Sequence, residues 1–385
     1  MITELSICNF KCFGSLTSIP MSRYTILYGK NGRGKSSMIQ SLLLLSQSLQ
    51  ENGGSLDSLA INGKMVSLGT FDDITNRYST SSSAIDIIVK TDIEPPLKLK
   101  FEKSFDKPTI GLLDEIWLGP IPYFGSVSEE VSSPPGFSSE NRQGHKKRLI
   151  FTQSDIQTYV SLMSLYYIAA DRRGPVNFEQ RIDRIGAIDT SVKGDGLINA
   201  LAVQSSEFLE RFTQELSLIL SGASVRVFAN PDTPDRIELF LDSVNDQEYG
   251  FRPRNVGFGY SYVLPIVYQV LSAPSGGIIV IENPEAHLYP AAQSRLVDFL
   301  VKYAKEKNLQ IVLETHSDHI INGLRISVKD GVVNPTEASI LYFDRDENET
   351  GNPVINRIRI DKRGALDKQP GDFMDEWTRQ MLELL

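Results

Sequence analysis

Residues 29–36 read Gly-Lys-Asn-Gly-Arg-Gly-Lys-Ser, a complete G-x-x-x-x-G-K-[ST] match, and no other stretch limits the fold as strongly. Such a loop works where a strand feeds it and a helix leaves it. Both flanks are present. Arg23–Tyr28 reads as a short strand. Ser37–Gln50 carries Met38, Ile39, Leu42, Leu43, Leu45 and Leu49, apolar on more than one face, which predicts a buried helix. Gly29, Gly32 and Gly34 remove Cβ clashes, so main-chain N–H groups on either side of Asn31 can wrap a polyphosphate. The helix start adds the positive end of its dipole. Lys35 then reaches the β- and γ-phosphates, Ser36 holds Mg²⁺, and Ser37 is a further donor. The loop implies a nucleoside triphosphate with Mg²⁺. The motif does not say what the chain does with them.

The rest of the chain bounds the class. Its 385 residues are 41% hydrophobic and carry a net charge of −9. That is a globular composition with material for two or three domains at about 150 residues each. A dedicated nucleic-acid module is usually basic, so any DNA contact must come from a local or assembled patch. Cys8 and Cys12 make no disulfide framework and lack the partner pair that zinc needs, which fits a reduced cytoplasmic setting. No apolar run approaches ~18 residues, so no membrane span is expected. Met1-Ile-Thr-Glu4 has no basic n-region, so no secretory signal is expected.

Ile2–Phe13 reads as strand and turn, and residues 53–118 as β-rich, with Ala84–Lys90 and Pro96–Glu102 alternating apolar and polar. Gly119–Gly144 turns to Pro, Gly, Ser and Glu and reads as a long loop closed by the basic run His145–Arg148. An apolar segment follows over Tyr159–Ala170, then a Gly/Arg/Pro turn over Asp171–Pro175 and a helix over Asp195–Ser221. Ser224–Ala229 and Arg236–Asp242 read as edge-like strands. Gly277–Ile281 and Gln310–Glu314 read as buried strands, with a helix between them over Pro290–Lys307.

The opening ITELSICNFKCFGSLTSI, the loop block YTILYGKNGRGKSSMIQSLLLL, and the later blocks GGIIVIENPEAHLYPAAQSRL and QIVLETHSDHIINGLRI together resemble the RecF/SMC/OLD-like branch of ABC-type ATPases. Within it, LETHSDHIINGLRI and RIDKRGALDKQPGDFMDEW look most like small bacterial ATPases encoded beside phage-defence effectors. The resemblance narrows the triphosphate to ATP and implies an α/β P-loop ABC-type head. Its central mixed sheet is flanked by helices and carries a β/helical insertion. Residues 1–80 would form the N-terminal part of the head, 81–220 the insertion with its loop near 119–145, and 221–385 the C-terminal part. Lys35, Glu282 and His316 are then expected to converge on one phosphate chain.

Glu282 ends a strand and is expected to hold Mg²⁺ with Ser36. In most relatives a glutamate that activates water comes next, whereas this chain has Asn283, which cannot accept a proton at neutral pH. Either Glu285 serves as the base or the Asn283 amide positions the water. His316 matches the histidine that contacts the γ-phosphate. Asn255-Val-Gly-Phe-Gly-Tyr-Ser261, just before an apolar helix expected over Tyr262–Leu271, occupies the place of the element that caps a partner's nucleotide, with Gly257, Gly259 and Ser261 as its contacts. It departs from the usual Leu-Ser-Gly-Gly order. The expected assembly is a homodimer or larger even homo-oligomer.

Other features carry less. Asp344-Arg-Asp346 reads as a solvated turn rather than a two-metal nuclease site, His287 as a packing or contact residue, and His319 as the weaker histidine. Arg172 and Arg173 stand equally open to binding and to structure. The function expected is an ATP-hydrolysing dimeric switch that controls a separate effector, a nuclease by preference, in bacterial anti-phage defence, with DNA left open as a partner. The alternatives are a non-hydrolysing nucleotide-dependent scaffold and a repair or chromosome-maintenance ATPase. The last needs a long coiled coil, which Pro95, Pro96, Pro134 and Pro135 argue against.

Overall fold

A computed structural model of the chain describes all residues except 55, 79–82, 93–94, 119–120, 123–137, 141–145, 149–160, 183–189, 230, 243–249, 346–351, 371–372, 375 and 385. Most of the expected loop at 119–144, His145 of the basic run and Asp346 lie outside the described residues. Two compact units form. The first comprises Met1–Leu165, Gly276–Ile278 and Ser339–Arg359, and the second Tyr166–Ser275, Ile279–Ala338 and Ile360–Leu385.

The first unit is built on an antiparallel sheet in the order Thr17–Pro20, Ile2–Cys8, Ile85–Thr91, Leu97–Lys103, Ile110–Leu118, Ser58–Ala60, with Ile121–Pro122 paired to Ile110–Leu118. The alternation seen in the sequence is what buries one face: Ile85, Ile87 and Val89 oppose Phe101, Leu99 and Leu97, and all six are buried. Elsewhere in the unit, Tyr24–Gly29 lies beside Ala338–Arg345, which pairs antiparallel with Pro353–Ile358. The helix Lys35–Glu51 buries Met38, Ile39, Leu42, Leu43, Leu44, Leu45 and Leu49 completely. Its buried polar groups are satisfied by the chain: Gln47 donates to the Ala60 carbonyl at 2.6 Å and accepts from the Met65 and Val66 amides at 2.8 and 2.9 Å.

The second unit holds the strands Leu165–Ile168, Ile278–Glu282 and Gln310–Glu314 side by side, all but Leu165 and Ile278 belonging to it. Ile279, Val280 and Ile281 are fully buried, as their unbroken apolar run requires. Helices Pro290–Glu306 and Asp318–Lys329 pack on each other, and Gly323 gives the room: a Cβ there would meet the Val297 side chain at 3.0 Å. A separate antiparallel sheet runs Phe178–Gln180, Arg236–Asp242, Ser224–Ala229. The helix expected over Asp195–Ser221 is instead two, Leu197–Ala202 and Ser206–Leu220. Ser205 is the physical reason, since its side chain accepts from the Phe208 amide at 3.2 Å and starts a new helix. Among the described residues no helix is long and apolar enough to cross a membrane.

Candidate nucleotide site

The loop expected to hold phosphate has the backbone that its sequence demands. Gly29 sits at φ 131°, and a Cβ there would lie 2.3 Å from the Phe343 carbonyl oxygen of the neighbouring strand. No other residue fits at that point. Gly32 is at φ 72° with open space where a side chain would be. Gly34, at φ 105°, is the N-cap of helix Lys35–Glu51, and the first turn of that helix holds no acidic residue to repel an anion. Lys35 is buried, and its amine donates to the Gly29 and Lys30 carbonyls at 2.8 and 3.0 Å. Asn31 and Ser36 are exposed, and Ser37 is half-buried and hydrogen-bonded to the Cys12 thiol.

In the second unit the strand Ile278–Glu282 ends at a tight turn. Asn283 has φ 45°, a left-handed conformation that asparagine tolerates better than most residues. Its amide donates to the Glu314 carbonyl at 2.8 Å and its carbonyl accepts from the Ala286 amide at 3.1 Å. Glu282 is half-buried, and burial pushes its carboxyl above the usual range while a Tyr167 hydrogen bond pulls the other way. Glu285 spends both oxygens within the chain: one accepts from the Thr315 hydroxyl at 2.7 Å, the other from the His316 amide at 2.9 Å. His316 itself is exposed. The turn therefore brings together Glu282, Asn283, Glu285 and the backbone of His316.

The element expected to reach a partner differs in detail from its sequence reading. The helix starts at Phe258 rather than near Tyr262, with Gly257 as N-cap. Gly257 is open to solvent, whereas a Cβ on Gly259 would lie 2.7 Å from the His287 carbonyl oxygen of the same unit. Ser261 is buried, with no hydrogen-bond partner for its hydroxyl among the described residues. His287 packs its ring edge-on to Tyr262, centroids 4.4 Å apart, as a local contact.

Residues 24–322 match the family described as AAA domain, putative AbiEii toxin, Type IV TA system. The chain belongs to this AAA family. Residues 333–384 match a second family, described as a protein of unknown function (DUF3696). No curated protein matches the chain. Among solved structures it is similar to an SMC head bound to the C-winged helix domain of ScpA, at TM-score 0.52 and 13% identity over 94% of this chain and 98% of that one. It is also similar to the SMC head domain from Thermotoga maritima, at TM-score 0.46 and 12% identity over 92% and 98%. The AAA chain thus has the mixed α/β fold of a P-loop ABC-type ATPase head.

Sequence reading of this AAA chain overlooked a cavity of about 410 Å³ beside the phosphate loop. Gly32 and Arg33 form one wall, and Lys11, Cys12, Arg77 and Arg345 face the same space. Of the acids there, Asp73 is tied up as the far end of a capping box, accepting from the Thr70 amide at 2.8 Å. Burial pulls the Lys11 amine below its ordinary range, and it donates to Gln40 at 2.5 Å. A basic signal for it in the sequence is Lys11, inside the NFKCF block.

Proposed function

We propose that this AAA chain is an ATP-binding and ATP-hydrolysing switch that acts as a homodimer or larger even homo-oligomer. By the resemblance, two sets of residues would handle the nucleotide. The loop Gly29–Ser37 cradles the phosphates, with Lys35 moving its amine from the loop carbonyls to the phosphate oxygens. Glu282, Asn283, Glu285 and His316 act at the γ-phosphate. The cavity beside Arg33 takes base and ribose. Gly257, Gly259 and Ser261 present the helix start Phe258–Ser272 to the partner's nucleotide.

Ser36 and Glu282 each offer a hard oxygen of the kind Mg²⁺ takes, one or two of them beside phosphate and water. Bound there, it would neutralise phosphate charge. Among the described residues no group of three His, Cys, Asp or Glu side chains offers a competing metal site.

The observation that carries the reading is the complete phosphate loop, with its glycines at positive φ and its lysine buried on the loop's own carbonyls. Control of a separate nuclease effector in anti-phage defence is the role that the resemblance of the C-terminal blocks favours, and a cytoplasmic setting goes with it. DNA stays a candidate trigger. The SMC-like head favours a second reading, a chromosome-maintenance ATPase. The longest helices among the described residues have 17 residues, which gives little support to the coiled coil such a protein needs.

The deciding experiment measures phosphate release by the purified chain and by Lys35→Ala. Loss of about 100-fold or more in the variant is expected. Equal turnover in the two ends the proposal. ATP binding with no phosphate release by the unaltered chain would leave the scaffold reading in its place.

A further inference from the structure

Arg172, in the second unit, is held by several carbonyls at once. It is 3% exposed. One terminal nitrogen donates to the Glu282 carbonyl at 2.8 Å and to the Ala169 carbonyl at 3.3 Å, and the other to the Asn283 carbonyl at 2.6 Å. Its guanidinium lies 5.4 Å from the centre of the Tyr262 ring, in the helix that starts at Phe258. Its Nε is buried without a hydrogen-bond partner among the described residues. Burial brings the guanidinium down to about 10, so it remains charged at neutral pH.

A buried cation with an unmet donor is expensive. An apolar side chain would fill the space without that cost. What only arginine supplies is a planar fork that grips two consecutive carbonyls at once. Those carbonyls belong to Glu282 and Asn283, where the strand ends and the chain enters the left-handed turn. The Ala170 amide, two residues before Arg172, donates to the Glu282 carboxylate at 3.4 Å. The segment Tyr167–Arg172 thus holds residue 282 by side chain and main chain together.

We propose that Arg172 is the positioning residue of the hydrolytic turn, fixing the main chain of Glu282 and Asn283 so that their side chains meet the γ-phosphate and its water in one orientation. The inference rests on the function proposed above. Arg172 touches no reacting atom. Nucleotide affinity, carried by the phosphate loop, stays while the chemical step is lost.

Steady-state ATP turnover tests it in the full chain. Arg172→Ala is expected to lower kcat about 10-fold or more with KM within about 3-fold of the unaltered protein. Arg172→Lys, which keeps the charge and loses the fork, should fall between, and it carries the test if the alanine variant fails to fold. Guanidinium ions at millimolar concentration should restore part of kcat to Arg172→Ala and none to Lys35→Ala. Unchanged kcat in both Arg172 variants, or a loss confined to KM, overturns the assignment. So does a turnover defect in Arg172→Ala that guanidinium leaves untouched while Arg172→Lys retains full activity. Failure of the underlying function looks different: the unaltered protein itself would then release no phosphate.

Discussion

The phosphate loop of the first unit and the acidic turn of the second solve one problem by opposite means. Each fixes a short irregular stretch against a strand end. In the loop the means are local. Gly29, Gly32 and Gly34 take the positive φ angles, and Lys35 anchors to carbonyls five and six residues before it. In the turn the means come from afar. Arg172 grips carbonyls 110 and 111 residues away, and Glu285 takes hydrogen bonds from residues 30 and 31 positions further on. A stretch that stabilises itself writes its structure into consecutive residues. One that is held by distant side chains does not.

The largest expected effect breaks the local half of this contrast. Gly29→Ala sets a methyl group 2.3 Å from the Phe343 carbonyl oxygen at φ 131°, and neither strand can withdraw without losing its pairing. A loss of about 3 kcal/mol or more in urea unfolding is expected. Gly32→Ala, where nothing lies within 4 Å of the added carbon, should lose only about 1 kcal/mol, the conformational cost alone. Equal losses would mean that the packing of Gly29 against its neighbour plays no part.

That asymmetry explains what could be read in advance. The loop, its strand and its buried helix were legible because the motif and the apolar pattern are contiguous. The alternating strands Ile85–Thr91 and Leu97–Lys103 were legible for the same reason. Arg172 is open to binding and to structure in the sequence, since nothing in Asp-Arg-Arg-Gly-Pro says which carbonyls a guanidinium will find. Asn283 was read as a chemical departure from the family pattern. The structure adds a backbone reason, because the left-handed conformation at that position suits asparagine. The helix start at Phe258 was misplaced because two glycines, normally helix breakers, lie at its N-cap and first turn, and Gly259 is explained only by the approach of His287. No contiguous pattern marks the cavity beside Arg33, as its walls come from five separate stretches of the chain.

A smaller effect sharpens the electrostatic half of the comparison. Burial raises the Glu282 carboxyl from its ordinary 4.5, so the folded chain holds that proton to higher pH than the unfolded chain does. Stability from this group is present in acid and is lost as pH rises through the folded value. Glu282→Gln removes the buried charge. It should therefore melt a few degrees higher than the unaltered protein at pH 7.5, with the gap closing towards pH 4, while phosphate release disappears. Thermal melts across pH without nucleotide check it. A variant that melts lower at pH 7.5 would show that hydrogen bonds from Tyr167 and Ala170 outweigh the desolvation of the carboxylate.

The smallest expected change in stability separates the two candidates for handling water. Asn283→Gly keeps the left-handed backbone, trading relief of side-chain strain against a freer unfolded chain, so its stability should stay within about 0.5 kcal/mol. If the amide of Asn283 positions the water, kcat falls about 10-fold with the fold intact. Glu285→Gln acts differently. Both carboxylate oxygens accept hydrogen bonds, from the Thr315 hydroxyl and the His316 amide; glutamine keeps one acceptor, for the His316 amide, and turns an NH₂ towards the Thr315 hydroxyl, which already accepts from the Ser317 amide at 3.0 Å. Stability and turnover should therefore fall together, by about 1–2 kcal/mol in the first case. Phosphate release set beside urea midpoints for the two variants decides the matter. Full turnover in Asn283→Gly, with turnover abolished in Glu285→Gln at an unchanged midpoint, would move the proton-accepting role to Glu285. It would also mean that the braces from Thr315 and His316 release that carboxylate when nucleotide binds.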